Sequence, residues 1–223
     1  MERKYYEAYD DRYRQVHSQN LQWFYDEPTA IVAKTMENFG ITRQHRILEL
    51  GCGEGRDAYP LLRQGYKLLA TDISPEAIAY TRKKWPEYAE NFKILDCVQG
   101  NCPEKFDFIY AVAVIHMLVE DADRDGFFGF IREHLNPGGI GLICTMGNGE
   151  MEHRSDIATA FDLQERTHEQ SGKRVQIAGT SCRVVSFETF RSELVGNGLV
   201  LVQEGMTETP DFPVLMYAVV KAL

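Results

Sequence analysis

Residues 46–72 constrain this chain more than any other stretch. Ile47, Leu48 and Leu50 form a short apolar run, the composition of a strand buried on both faces. Gly51, Gly53 and Gly55 follow at once. Glycine lets a chain turn sharply and lets its backbone come close to a ligand. A helical stretch is expected from about Asp57, so free N–H groups at its start face the same spot. A second apolar run, Lys67 to Thr71, ends in Asp72. In a strand–turn–helix–strand unit, an acid at the tip of the second strand stands beside the first turn. There it can accept hydrogen bonds from the two hydroxyls of a ribose. The glycine spacing is G-x-G-x-G, one residue shorter than the G-x-G-x-x-G of dinucleotide binders.

The alternation of strands and helices continues on both sides. Pro28 and Gly40 bracket a helix over about 28–39, and Gly65 ends one over about 57–64 with Pro60 in its first turn. Ser74-Pro75-Glu76 is a helix start, with Ser74 as cap and Pro75 at the first position. Strands are expected at 92–95, ending in Asp96, and at 106–114. A helix over about 123–135 follows, then the turn Asn136-Pro-Gly-Gly139 and a strand at 140–146. Residues 147–185 are polar and break the rhythm; the pattern predicts a helix around 155–169 and a strand pair around 173–185. A helix from Ser186 to about Asn197 and two strands, 199–204 and 213–220, complete the reading.

Such alternation predicts an α/β fold, a doubly wound and mostly parallel sheet. Ligands bind these sheets beyond the carboxyl ends of the strands. The candidate site residues are therefore Glu49 to Gly55, Asp72, Ile73, Asp96, Cys97, and Val112 to His116. Asp96 is open to a second reading as a turn residue. His116, just after the fourth strand, either orients a substrate or takes a proton, or is a packed histidine with a backbone partner. His17, His45, His134, His153 and His168 have no comparable placement in the sequence.

At the start of the chain, Tyr5, Tyr9 and Tyr13 stand four apart and Val16 extends the same helical face. This face either packs on the domain or closes over a ligand, for which a flat apolar body with a hydroxyl is suited. The division expected is 1–40 as an N-terminal helical extension and 41–223 as the main domain, with 147–185 as an insertion.

The 223 residues carry a net charge of −9 with no Lys/Arg cluster, which disfavours a nucleic-acid partner. No run of eighteen apolar residues and no signal-peptide pattern appears, so a soluble cytoplasmic protein with no membrane partner is expected. Five cysteines lie scattered with no C-x-x-C pair, so neither a metal site nor a disulfide framework is indicated.

The loop Glu49-Leu-Gly-Cys-Gly-Glu-Gly55, with Asp72 after the second strand, resembles the glycine motif and acidic position of the class I S-adenosylmethionine-dependent methyltransferases. The turn Asn136-Pro-Gly-Gly139 and the closing pair of strands are similar to that family as well. The resemblance covers about 41–146 and 186–223. It implies a seven-stranded sheet whose last strand is antiparallel. It implies that Gly51, Cys52, Gly53 and Gly55 pack on the methionine part of S-adenosylmethionine, with Glu49 beside them. Asp72 would hold the ribose, Ile73 the adenine face and Asp96 the adenine amino group, and Cys97, Val112 and Ala113 would touch the cofactor. Tyr5, Tyr9, Tyr13 and His116 would belong to the lid or substrate side. The implied reaction is methyl transfer by in-line displacement to an O, N or S atom of a small molecule, leaving S-adenosylhomocysteine. No Asn/Asp-Pro-Pro-Tyr/Phe motif follows the fourth strand, where Ala113-Val-Ile-His116 stands, which speaks against amino-group methylation of bases or glutamine. The rival readings are a non-catalytic S-adenosylmethionine binder and an NAD-dependent oxidoreductase. The expected assembly is a monomer or homodimer.

Overall fold

The computed structural model describes residues 3–223. A 3-10 turn, Tyr5–Glu7, leads into α1, Ala8–His17, and α2 follows at Ala30–Asn38. The core then alternates β1 (Arg46–Leu50), α3 (Ala58–Arg63), β2 (Lys67–Asp72), α4 (Pro75–Lys84), β3 (Phe92–Ile94), β4 (Phe106–Val112), α5 (Asp121–His134) and β5 (Leu135–Met146). Four short strands, β6 (His153–Arg154), β7 (Leu163–Thr167), β8 (Arg174–Ala178) and β9 (Arg183–Val184), fill the insertion. The chain closes with α6 (Phe187–Gly196), β10 (Leu199–Thr207) and β11 (Leu215–Ala222).

The main sheet has seven strands in the order β10-β11-β5-β4-β1-β2-β3. β11 runs antiparallel to both its neighbours, and the other pairings from β5 to β3 are parallel. The doubly wound sheet with an antiparallel last strand is as the sequence led one to expect. Period-two alternation divides the strands between two cores. Leu48, Leu50, Ile109, Ala111 and Ile143 pack with α5 and α6, whereas Ile47, Phe108, Tyr110, Leu142 and Cys144 pack with α2 and α3. β1 and β4 are central neighbours whose following helices cover opposite faces, so a crevice opens above their carboxyl ends.

Local chemistry sets the helix starts. The Ser74 hydroxyl accepts from the Ala77 N–H with Pro75 next to it, and the Ser186 hydroxyl accepts from the Thr189 N–H. Pro28 precedes its helix rather than opening it, because Thr29 takes the cap position. The helix expected around 155–169 is not formed. The Asp156 carboxylate caps only a single 3-10 turn, Ile157–Thr159. β7 then pairs antiparallel with β8. The stretch has no helical apolar stripe, whereas Val175 and Ile177 of β8, two apart, pack on Val16, Leu21 and Trp23.

The insertion and α1 are joined. Arg12 donates to the carbonyls of Ala178 and Gly179, both at 2.9 Å, and to the Thr180 hydroxyl at 2.8 Å. His168 meets the carbonyl of Gln22 at 2.6 Å. At the other end of the segment, Tyr5, Tyr6 and Ala8 are part of the main core. Among the described residues, no helix is long and apolar enough to cross a membrane.

Candidate functional site

β1 runs into Gly51, whose φ of +70° reverses the chain just after Leu50; a Cβ there would lie 2.4 Å from Val114 Cγ2. Gly51→Ala is therefore expected to cost about 1–2 kcal/mol for the left-handed backbone, with the clash in addition. Thermal denaturation checks it, and Val114→Ala in the same chain should recover part of the loss; a Gly51→Ala chain as stable as the parent would show that the loop relaxes freely. Gly53 also has positive φ, and the Tyr13 hydroxyl comes so near that a Cβ would stand 2.6 Å from it. The Gly53 N–H donates to Asp72 Oδ2 at 2.8 Å, and the Ser74 N–H donates to Oδ1 at 2.8 Å. Asp72 is thus fixed at the cleft wall by backbone donors, with lone pairs left over on both oxygens. Burial pushes its carboxyl up to about 6, against the opposing pull of the Ser74, Gly53 and Ile73 N–H groups.

The cleft is lined by Glu49, Gly51, Cys52, Gly53, Asp72, Ile73, Asp96, Cys97, Val112 and Ala113, which the sequence nominated. Tyr9 and Tyr13 line it too. Ala113 holds φ +57°, an uncommon conformation for a residue with a side chain, just where the chain leaves β4. Asp96 accepts from the Val98 N–H at 2.8 Å, so its turn role is real, while Oδ2 faces the Tyr6 hydroxyl at 3.4 Å. Burial raises the Cys52 thiol well above its ordinary value and the Cys97 thiol to about 12, so both stay protonated.

Three nominated residues stand elsewhere. Gly55 faces away from the cleft, against the Trp85 ring. Tyr5 is an anchor: its hydroxyl accepts from the Val119 and Glu120 N–H groups and donates to Asp123, at the start of α5. The 3-10 turn at 5–7 puts Tyr6, rather than Tyr5, in phase with Tyr9 and Tyr13. His116 is 2% exposed, is absent from the cleft lining, and meets Phe212 edge-on at 5.9 Å. Burial, with Arg124 and Arg12 nearby, lowers it to about 3, so it is a poor proton acceptor at neutral pH.

The sequence left Arg56, Phe24 and Phe212 unassigned and gave Glu54 only as part of the glycine loop, and all four line the cleft. Glu54 accepts from the Trp23 and Phe24 N–H groups, both at 2.8 Å, and so lays that segment over the glycine loop. Arg56 Nη1 donates to Asp211 Oδ2 at 2.5 Å, tying down the 208–214 loop that carries Phe212. Asp57 takes the Thr29 N–H and hydroxyl, which stitches α2 to the end of the glycine loop. Two buried atoms on this cleft have no hydrogen-bond partner among the described residues: Glu49 Oε2, and Arg56 Nε, which stands 3.6 Å from Asp57 Oδ2. Burial, with Asp57 next to it, raises the Glu49 carboxyl well above its ordinary value. Glu54 and Arg56 were in plain view in the loop, but their partners lie as far off as 155 residues in sequence, which no local pattern signals.

Residues 48–140 match the family model described as a methyltransferase domain. The chain is 29% identical over 119 residues to a probable S-adenosyl-L-methionine-dependent methyltransferase TehB of Haemophilus influenzae, covering 52% of this chain and 41% of that protein. It is 28% identical over 136 residues to a ubiquinone biosynthesis O-methyltransferase of Rickettsia prowazekii, covering 58% and 51%. The chain thus spans about half or less of the length of these curated relatives. Among solved structures, the CcbJ methyltransferase from Streptomyces caelestis superposes with a TM-score of 0.70 at 15% identity, over 97% of this chain and 98% of that one. A glycopeptide N-methyltransferase MtfA complexed with sinefungin gives 0.64 at 19% identity, over 90% and 96%. At these identities the structural matches speak to the fold.

Proposed function

We propose that this chain, which belongs to the class I S-adenosylmethionine-dependent methyltransferase family, binds S-adenosylmethionine in the cleft and passes its methyl group to an oxygen, nitrogen or sulfur atom of a small molecule. The observation that carries the reading is a pair of buried atoms without hydrogen-bond partners on one cleft, Glu49 Oε2 of a carboxyl and Arg56 Nε of a guanidinium. An ammonium and a carboxylate, the two ends of an amino-acid moiety, satisfy such a pair. Asp72 has lone pairs for ribose hydroxyls, and Ile73 and Asp96 line the same cleft, available to an adenine.

When bound, S-adenosylmethionine supplies a methyl group already activated on a sulfonium. The chain's residues therefore contribute alignment and exclusion of water. Tyr13 and Phe24 of the N-terminal segment and Phe212 of the 208–214 loop border the cleft from two sides. This enclosure favours a small acceptor. No ionisable group on the cleft is needed as a base for an acceptor that arrives deprotonated.

Calorimetry with S-adenosylmethionine, S-adenosylhomocysteine and NAD tests the binding, and a methyl-transfer assay over a small-molecule library tests the reaction. Binding of NAD alone would overturn the proposal; binding of S-adenosylhomocysteine with no acceptor methylated would leave a cofactor-binding protein. The reading also sets a pH dependence. The Asp72 carboxylate is a full acceptor only when ionised, so S-adenosylhomocysteine affinity should be about tenfold weaker at about pH 5 than at about pH 7.5. For stability the sign is opposite. A raised acid keeps its proton in the folded chain between its ordinary value of 3.8 and about 6, so its contribution falls as pH rises through that window. Asp72→Asn should flatten both profiles, and a variant retaining the parent's pH dependence would remove Asp72 from the site.

A further inference from the structure

The geometry points to a proton-dependent clasp: His17, held between Glu54 and Glu76, fastens residues 21–25 over the cleft when its imidazole carries two protons and loosens them when it carries one. That the cleft closed in this way is a cofactor site rests on the function proposed above; the clasp itself does not.

His17 ends α1, and its side chain is 8% exposed. Its Nε2 stands 2.8 Å from Glu54 Oε1, and its Nδ1 stands 2.9 Å from Glu76 Oε1. Each ring nitrogen thus faces an acceptor-only carboxylate oxygen. A neutral imidazole has one N–H and one lone pair, so it would turn that lone pair toward a carboxylate. Only the imidazolium satisfies both contacts. Glu76 belongs to α4, and Glu54 belongs to the glycine loop and carries the Trp23 and Phe24 N–H groups on the same carboxylate. The cation therefore neutralises the group that holds the aromatic segment.

Other titratable groups border the ring. From α4, Tyr80 stacks on it at 4.3 Å, and from α1 itself Tyr13 lies 5.8 Å away. Arg14, Lys83 and Lys84 share the groove beside it. Arg14 is taken by Asp10 and Asp11, and Lys84 by Asp26 and Gln22. Burial alone would lower His17, and the hydrogen bonds to Glu54 and Glu76 outweigh it and raise the group above its ordinary value. A raised histidine gives its full stabilisation below the ordinary imidazole value and loses it as pH rises through the raised one. Asp72, at about 6, is ionised throughout that upper window, and burial holds all five cysteine thiols above their ordinary value.

The test is amide hydrogen exchange at Trp23 and Phe24 in the full chain, corrected for intrinsic rate, from about pH 7 to about pH 9.5. Protection should fall about tenfold across that range. His17→Arg keeps a charge and a fork able to reach both carboxylates, so its protection should stay high and flat. His17→Gln should be low and flat. A flat parent profile, or a His17→Gln chain that follows the parent, would refute the clasp. Affinity for S-adenosylhomocysteine should fall alongside protection; affinity that holds steady while protection falls would sever the clasp from the cleft. A chain that binds no S-adenosylhomocysteine would defeat the proposed function and leave the exchange profile to decide the clasp.

Discussion

Arg124→Ala should lower the unfolding free energy by about 3–5 kcal/mol, the loss expected when one partner of a buried ion pair is removed. Arg124 is 1% exposed on α5. Its Nε and Nη2 grip the two Glu193 oxygens of α6 at 2.7 and 2.6 Å, and its Nη1 donates to the Ile115 and Leu118 carbonyls at 2.9 and 3.3 Å. The truncation leaves Glu193 with only Arg183, 3.5 Å away, leaves two carbonyls short of donors and opens a void the size of the guanidinium. Arg124→Lys keeps the charge without the fork and should fall between. Urea denaturation gives the difference; a loss under about 1 kcal/mol would mean that water takes over the role of the guanidinium. The damage would reach the cleft, because the turn that Arg124 holds carries Met117 and Leu118 of its wall.

Asp72→Ala should weaken S-adenosylhomocysteine binding by about 1–3 kcal/mol, the worth of charge-assisted hydrogen bonds. The fold contributes to that loss. Without the carboxylate, the N–H groups of Gly53 and Ser74 lose their acceptor and the glycine loop loses its tie to β2. Asp72→Asn retains one acceptor oxygen and should lose less. A folded Asp72→Ala chain with unchanged affinity would place the ligand away from this carboxylate.

The strands and the glycine loop were legible because each is written in a contiguous stretch. Ile47 to Leu50 and Phe106 to Val112 declare a buried parallel strand by their own composition, and Gly51 and Gly53 declare a backbone that few side chains allow. The tip positions Asp72, Ile73 and Asp96 followed from topology. The groups that enclose the cleft were hidden because each acts through a distant partner. Phe212 is brought in by Asp211 on Arg56, and Phe24 by its N–H on Glu54. His17 looked idle on a helix end until α4 and the glycine loop set a carboxylate on each side of its ring. Tyr5 and Tyr6 are adjacent, and one 3-10 turn decided which of them reached the cleft. The insertion misled for a different reason: β7 is exposed throughout, so no periodicity marked it, and only its pairing with β8 makes it a strand.

β11 lies inside the sheet, between β5 and β10. A nascent chain that has emerged only as far as residue 214 therefore presents two bare hydrogen-bonding edges where the finished sheet has none, one on β5 and one on β10. The slot between them is two strand spacings wide, and residues 215–222 must enter it antiparallel to both sides at once. Synthesis thus leaves the widest gap in the sheet to be filled late, and until then the half-made product is a template for any extended segment nearby.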